Sequence, residues 1–270
     1  FEKCLNPLDS LKDVYYNMGQ TYVLLKNNEK AILNYGKSIE VNESVHQSYY
    51  YRANVYFNEK KYKESIDDFT KAIAAKPDYA PAQLAQIRQK IASRDLAEAR
   101  SKIEILLTQH PANPDGLLLK GGLLASEGDL DGALVQYKKA IDAKPTHIAA
   151  YAAAISLLIK TNKPEAAKTH LDALKKIAPK NAQSYFLDAQ LNYHLKDFKA
   201  ARESAQQLLR IAPNHPDGLQ VAGAIEYQLR SYLQAETYLA KALQLSPQLP
   251  LARRLLVASQ LRAGNAAKAI

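Results

Sequence analysis

This chain of 270 residues has no tryptophan, one cysteine, one methionine and only 10 glycines. The lone thiol, Cys4, cannot close an internal disulfide, so it says nothing about redox compartment and reads as a small apolar helix residue. No run of 18 apolar residues occurs, and no basic–apolar–small leader opens the sequence, so no membrane segment is expected within it. Enzyme motifs are missing too: there is no G-x-S-x-G, H-E-x-x-H, G-x-x-x-x-G-K-[ST] or C-x-x-C. The six histidines (His46, His110, His147, His170, His194, His215) are scattered, and Gly121-Gly122 lies in an apolar stretch unlike a phosphate loop. No catalytic residue, metal site or cofactor is expected. Asn42-Glu43-Ser44 fits a glycosylation sequon, as many unmodified loops do. Strand-like alternation is also scarce, and what dominates is Leu, Ala, Lys, Gln and Glu, all good helix formers.

The net charge of +9 is unevenly placed. Residues 1–73 hold 10 basic and 10 acidic side chains, whereas residues 74–270 hold 26 and 17. The cations are dispersed over many predicted helices, which favours a solvated surface over a nucleic-acid site.

Six prolines stand 34 residues apart: Pro77, Pro111, Pro145, Pro179, Pro213 and Pro247. Proline ends helices and fixes the entry to the next element, so each marks the same point of a repeated unit. With that proline at position 32, position 20 reads Ala31, Ser65, Ala99, Ala133, Ala167, Ala201 and Ala235. Such small side chains suit helices that cross closely. Position 8 is small in five units (Gly19, Ala53, Gly121, Ala189, Gly223), and position 24 is bulky in most, as in Tyr35, Phe69, Tyr137 and Leu239. Each unit reads as two helices; in the fourth they span about Pro114–Ser126 and Leu130–Ala143. Full units occupy 12–45, 46–79, 80–113, 114–147, 148–181, 182–215 and 216–249, with partial units at 1–11 and 250–270. The third has Ile87 and Lys90 where small residues are usual, so its first helix is expected to be atypical.

This pattern resembles the tetratricopeptide repeat along the entire chain. The resemblance implies an all-α fold, a right-handed superhelix of antiparallel helix pairs in one solenoid over 1–270. Stability would be roughly a sum over units and interfaces. No polar capping helix stands at either end, so a piece of a longer array is expected, with oligomerisation possible through the uncapped ends.

In that family the first helices line a concave groove through positions 2, 5, 9, 12 and 13. Carried over residue by residue, with aromatic and polar candidates kept, this selects Tyr16, Gln20, Gln47, Tyr50, Asn54, Phe57 and Arg88. Further along it selects Phe186, Gln190, Tyr193, His194, Gln220, Tyr227 and Arg254. The implied function is a scaffold for a peptide or protein partner, with no enzymatic activity. Each aromatic could equally pack against its neighbouring unit. The carboxylate clamp of chaperone-tail binders is absent: Tyr50 precedes Asn54, and Pro81 and Ala85 follow.

Composition changes abruptly near residues 71–76. Residues 1–73 contain 3 alanines, 8 asparagines and 9 tyrosines; residues 74–270 contain 39, 6 and 8. Stretches such as Asp95–Arg100, Gly223–Leu229 and Ala252–Leu256 resemble tetratricopeptide lipoproteins of bacterial PEP-CTERM/exosortase systems. That implies a non-catalytic scaffold in exopolysaccharide and protein sorting, in the periplasm or envelope. Residues 1–73 do not share the likeness. Two explanations stand: an engineered fusion of two repeat proteins through a shared helix, without a natural ligand, or divergence along a natural array.

Overall fold

The structure is a computed structural model that describes residues 13–42 and 44–264. Phe1, Cys4, Ile270, the partial unit at 1–11 and Glu43 of the sequon lie outside the described residues. Fifteen helices and no strands occur among them. They are α1 (Val14–Leu24), α2 (Asn28–Glu40), α3 (Val45–Asn58), α4 (Tyr62–Ala75), α5 (Ala80–Ala92), α6 (Leu96–Gln109), α7 (Pro114–Glu127) and α8 (Leu130–Ala143). There follow α9 (Ile148–Lys160), α10 (Pro164–Ile177), α11 (Ala182–His194), α12 (Phe198–Ile211), α13 (Pro216–Gln228), α14 (Tyr232–Leu245) and α15 (Pro250–Arg262). None is long and apolar enough to cross a membrane. The chain divides into two compact units, Phe1–Leu123 and Leu124–Ile270. The boundary falls inside α7, whereas the composition step at 71–76 falls at the end of α4.

The turn between the two helices of a repeat is made the same way each time. Position 15 has positive φ in every repeat: Lys26, Lys60, Arg94, Gly128, Asn162, Lys196, Arg230 and Gly264. That residue closes a Schellman motif. In the first repeat the Lys26 N–H reaches Val23 O at 3.0 Å and the Asn27 N–H reaches Tyr22 O at 2.9 Å, satisfying carbonyls orphaned at the helix end. The next residue then caps the second helix. Asn27, Asp95, Asp129 and Asp197 each accept a hydrogen bond from the backbone N–H three residues on. The other junction, at position 34, is capped by Asn113, His147, Asn181 and His215. Both histidines accept through Nδ1, from Ala150 N at 3.1 Å and Gly218 N at 3.0 Å. They are helix caps, a role for which the Nδ1 lone pair must be bare.

Packing inside a repeat brings positions 8 and 24 together. A Cβ on Gly19 would lie 2.6 Å from the Tyr35 ring, and one on Gly223 would lie 2.5 Å from Leu239 Cγ. Where position 8 is large, position 24 carries no ring. Ile87 is fully buried beside Ile103 and Leu106, so α5 is a regular helix of 13 residues despite its unusual residues. Lys90, the other departure, pairs with Asp95 and Glu98.

In the first unit the repeats 12–45 and 46–79 are filled by rings. Tyr16, Tyr35 and Tyr51 lie with centroids 5.8–6.2 Å apart; Tyr35 and Tyr51 are stacked, and Tyr16 meets both at an angle. Tyr50 meets Tyr51, Phe69 and Tyr79 at 5.1–5.7 Å. Burial, then the neighbouring Tyr51, pushes the Tyr16 phenol up to about 12, and the same causes push Tyr79 to about 12. Tyr35, wholly buried, is raised further, and its hydroxyl has no hydrogen-bond partner among the described residues. Arg52 makes a bidentate pair with Asp68, at 2.7 and 2.9 Å, and lies over the rings of Tyr49 and Tyr56.

In the second unit the core is mainly aliphatic, with Tyr137 and Tyr151 as buried rings. Ala189, Ala201, Ala205, Ala222 and Ile225 form one cluster, and Ala235, Leu239 and Ala252 another. Its buried ion pair joins Arg202 to Glu226, whose side chain is 7% exposed. The Arg202 guanidinium also reaches Ser231 Oγ at 3.2 Å.

Candidate functional site

Four of the residues selected from the sequence converge in the first unit. Tyr50, Asn54 and Phe57 come from α3 and Arg88 from α5, and together they line a cavity of about 530 Å³. The helical spacing places 50, 54 and 57 on one face of α3. Phe69, Tyr62 and Ile66 of α4 and Ala85, Gln89 and Ala92 of α5 complete the walls. Phe57 is 48% exposed and meets Tyr62 edge-on at 5.6 Å. Asn54 donates its Nδ2–H to Tyr50 O at 2.7 Å, and its Oδ1 accepts nothing among the described residues. Arg88, the single charged group lining the cavity, pairs with Asp115 at 3.1 Å. The cavity is therefore apolar with a polar rim.

Other selected residues of this unit lie elsewhere. Tyr16 belongs to the ring cluster, and its hydroxyl accepts a hydrogen bond from Gln20 Nε2 at 2.6 Å. Gln47 is half-buried and does not line this cavity.

In the second unit Gln190, Tyr193, His194 and Gln220 line a cavity of about 780 Å³, joined by Lys160, Lys196, Phe198, Val221, Gln228 and Leu251. Adjacent first helices are stitched together there. Gln228 Nε2–H donates to the Tyr193 hydroxyl at 3.3 Å, and Ala252 N–H donates to Gln220 Oε1 at 3.2 Å. His194 Nε2 lies 2.9 Å from Asn162 Oδ1. Phe186 packs on His215 at 5.4 Å, Tyr227 packs in the cluster of Leu239 and Ala252, and Arg254 is exposed; none of the three lines the cavity.

Sequence reasoning missed the second-helix contribution. An aromatic at position 12 meets one at position 17 in three repeats: Phe57–Tyr62, Tyr193–Phe198 and Tyr227–Tyr232, each at 5.6 Å. The five-residue spacing was visible, but position 17 begins the second helix and was not among the groove positions. Lys160 stands at groove position 13, as His194 does, but was passed over among the polar candidates; Lys196 was missed because it lies in the turn, at position 15. Among the described residues no group of three His, Cys, Asp or Glu side chains is placed to hold a metal ion.

Family profiles described as "Tetratricopeptide repeat" match residues 12–45, 46–79, 84–148, 124–191 and 182–215. No curated protein matches the chain. Among solved structures, a tetratricopeptide repeat protein from Parabacteroides merdae is 14% identical, with a TM-score of 0.64 over 83% of this chain and 89% of its own. PilF of Pseudomonas aeruginosa is 20% identical, with a TM-score of 0.64 over 77% of this chain and 95% of its own. The Cut9–Hcn1 hetero-tetramer of the APC/C is 14% identical, with a TM-score of 0.70 over 94% of this chain and 57% of the matched one. At these identities the likeness concerns the fold, and it agrees with the repeat phase, the helix pairs and the profile matches: this all-α chain belongs to the tetratricopeptide-repeat family.

Proposed function

We propose that the chain is a non-catalytic scaffold for a peptide or protein partner, and that the cavity of the first unit receives an apolar side chain of that partner. The observation that carries this is the convergence of Tyr50, Asn54, Phe57 and Arg88 on one apolar cavity of about 530 Å³. Aromatic walls supply contact area at low entropic cost, while Asn54 Oδ1 is open to a peptide N–H.

Selection of a displayed random-peptide library on the intact chain tests this. Enriched peptides should share a large apolar residue and lose about tenfold or more in affinity against Phe57→Ser, the size expected for an anchor contact. Enriched peptides that bind Phe57→Ser and Arg88→Ala as well as the parent would refute it.

The composition step near residues 71–76 supports a second reading, a fusion of two repeat proteins without a natural ligand of its own. A parent sequence that matches only one side of residue 73 would decide it. The likeness of residues 74–270 to envelope lipoproteins supports a third, a scaffold in exopolysaccharide and protein sorting.

A further inference from the structure

We propose that the cavity of the second unit binds an acidic peptide segment, with its carboxylates at Lys160 and Lys196 and one apolar side chain on the floor of Ile159, Val221 and Leu251. This rests on the scaffold reading above but concerns a different cavity, with chemistry of its own.

The charge balance of the lining points to the ligand. Lys160, Lys196 and His194 line the cavity, and among the described residues no carboxylate does. Both lysines are exposed, and neither forms an ion pair among the described residues. The nearby acids are engaged elsewhere. Asp188 takes Lys175 at 2.9 Å and the Ser204 hydroxyl at 2.7 Å; Glu226 holds Arg202. Asp197 caps α12 through Ala200 N–H at 3.1 Å. Asp217 is exposed in the first turn of α13 and does not line the cavity.

The hydrogen-bonding groups lean the same way. Gln220 uses its Oε1 on Ala252 N–H, which leaves its two amide N–H donors. Gln190 lies on the neighbouring first helix. A site rich in donors and lysines, above apolar side chains, complements a segment rich in carboxylate acceptors that carries one apolar side chain. The cavity of the first unit differs: its one cation, Arg88, already has Asp115.

Exposed lysines attract weakly and are screened by salt, so charge should select the peptide while the apolar floor adds affinity. The test is fluorescence anisotropy on the intact chain with a short labelled peptide of glutamates flanking one leucine. Matched peptides carry glutamine or lysine in place of glutamate. The acidic peptide should bind at least about fivefold tighter than the glutamine peptide, as two exposed charge contacts allow. That advantage should vanish in Lys160→Glu/Lys196→Glu and shrink with added salt. It should persist in Lys168→Glu/Lys180→Glu, which changes the net charge equally at exposed sites away from the cavity.

Equal binding of the glutamine or lysine peptide would overturn the proposal, as would equal weakening in the control variant. Displacement of the peptide by single-stranded RNA at lower concentration than by unlabelled acidic peptide would also overturn it, in favour of a nucleic-acid surface. If the acidic probe fails while library-selected peptides still depend on Phe57, the charge proposal falls and the scaffold reading stands. If both fail, both fall.

Discussion

Repeats 12–79 and the repeats from 182 onward build the same pair of helices from different materials. In repeats 12–79 the space between helices is filled by tyrosine and phenylalanine rings, with Arg52, Lys30, Lys37, Lys61 and Lys71 laid over them. In the repeats from 182 onward, mainly alanine, isoleucine and leucine fill the equivalent space. The comparison of Gly19 beneath Tyr35 with Gly223 beneath Leu239 shows how. Beneath the same glycine at position 8, the side chain at position 24 can be a ring or a leucine. Composition can thus change abruptly along a solenoid without a change of phase, because each helix answers only to its neighbours.

The largest contrast should come from the two buried ion pairs. Arg52→Ala leaves Asp68, 4% exposed, without its guanidinium, and should cost about 3–5 kcal/mol in the first unit. Arg202→Ala should cost less, because Arg202 is itself 37% exposed and water can reach the vacated space. Chemical denaturation of both variants measures the difference; a larger loss for Arg202→Ala would break the comparison.

Next in size are the glycines. Gly223→Ala drives a Cβ to 2.5 Å from Leu239 Cγ and should cost about 1–3 kcal/mol, with partial recovery on adding Leu239→Val. Gly19→Ala meets a Tyr35 ring hemmed in by Tyr16 and Tyr51, so it should cost at least as much. Thermal melts of the three variants check both statements.

Alkali should separate the units more gently. An unfolded tyrosine releases its proton near pH 10, whereas folded Tyr16 and Tyr79 hold theirs to about 12, and Tyr35 is raised as well. In that window the unfolded state has lost protons that the folded state keeps. Stability from these groups is therefore complete below pH 10 and falls as pH rises from 10 to 12. In the second unit Tyr137 is raised by burial. The chain has no tryptophan, so Leu33→Trp and Leu233→Trp give clean fluorescence reporters, and the first should report unfolding at lower pH.

The smallest effect concerns the shared turn. Lys60 and Arg230 adopt φ of 62° and 60°, a region that costs non-glycine residues about 1–2 kcal/mol. Lys60→Gly and Arg230→Gly should each stabilise by up to about 1 kcal/mol, and equally, since the turn is the same in both units. Unequal gains in melting temperature would show that the turns differ.

Much of the fold was legible in advance. The proline ladder fixed the phase, and helices expected at Pro114–Ser126 and Leu130–Ala143 are observed at Pro114–Glu127 and Leu130–Ala143. The cavities were legible only in part. Register put Tyr16, Phe57 and Tyr227 on candidate groove positions alike. Which ring stays open depends on the volumes opposite it: Tyr35 and Tyr51 enclose Tyr16, while Tyr62 leaves Phe57 half exposed. His147 and His215 likewise showed their shared register, but their Nδ1 caps appear only with the backbone in place.

The central claim is that a partner's apolar side chain enters the cavity beside Phe57. A photoreactive benzophenone amino acid at position 57, irradiated with a library-selected peptide, tests it most directly. The peptide should be crosslinked from position 57 and not from Ile105, an exposed residue of α6 outside that cavity. Crosslinking from position 105 and none from position 57 would contradict it.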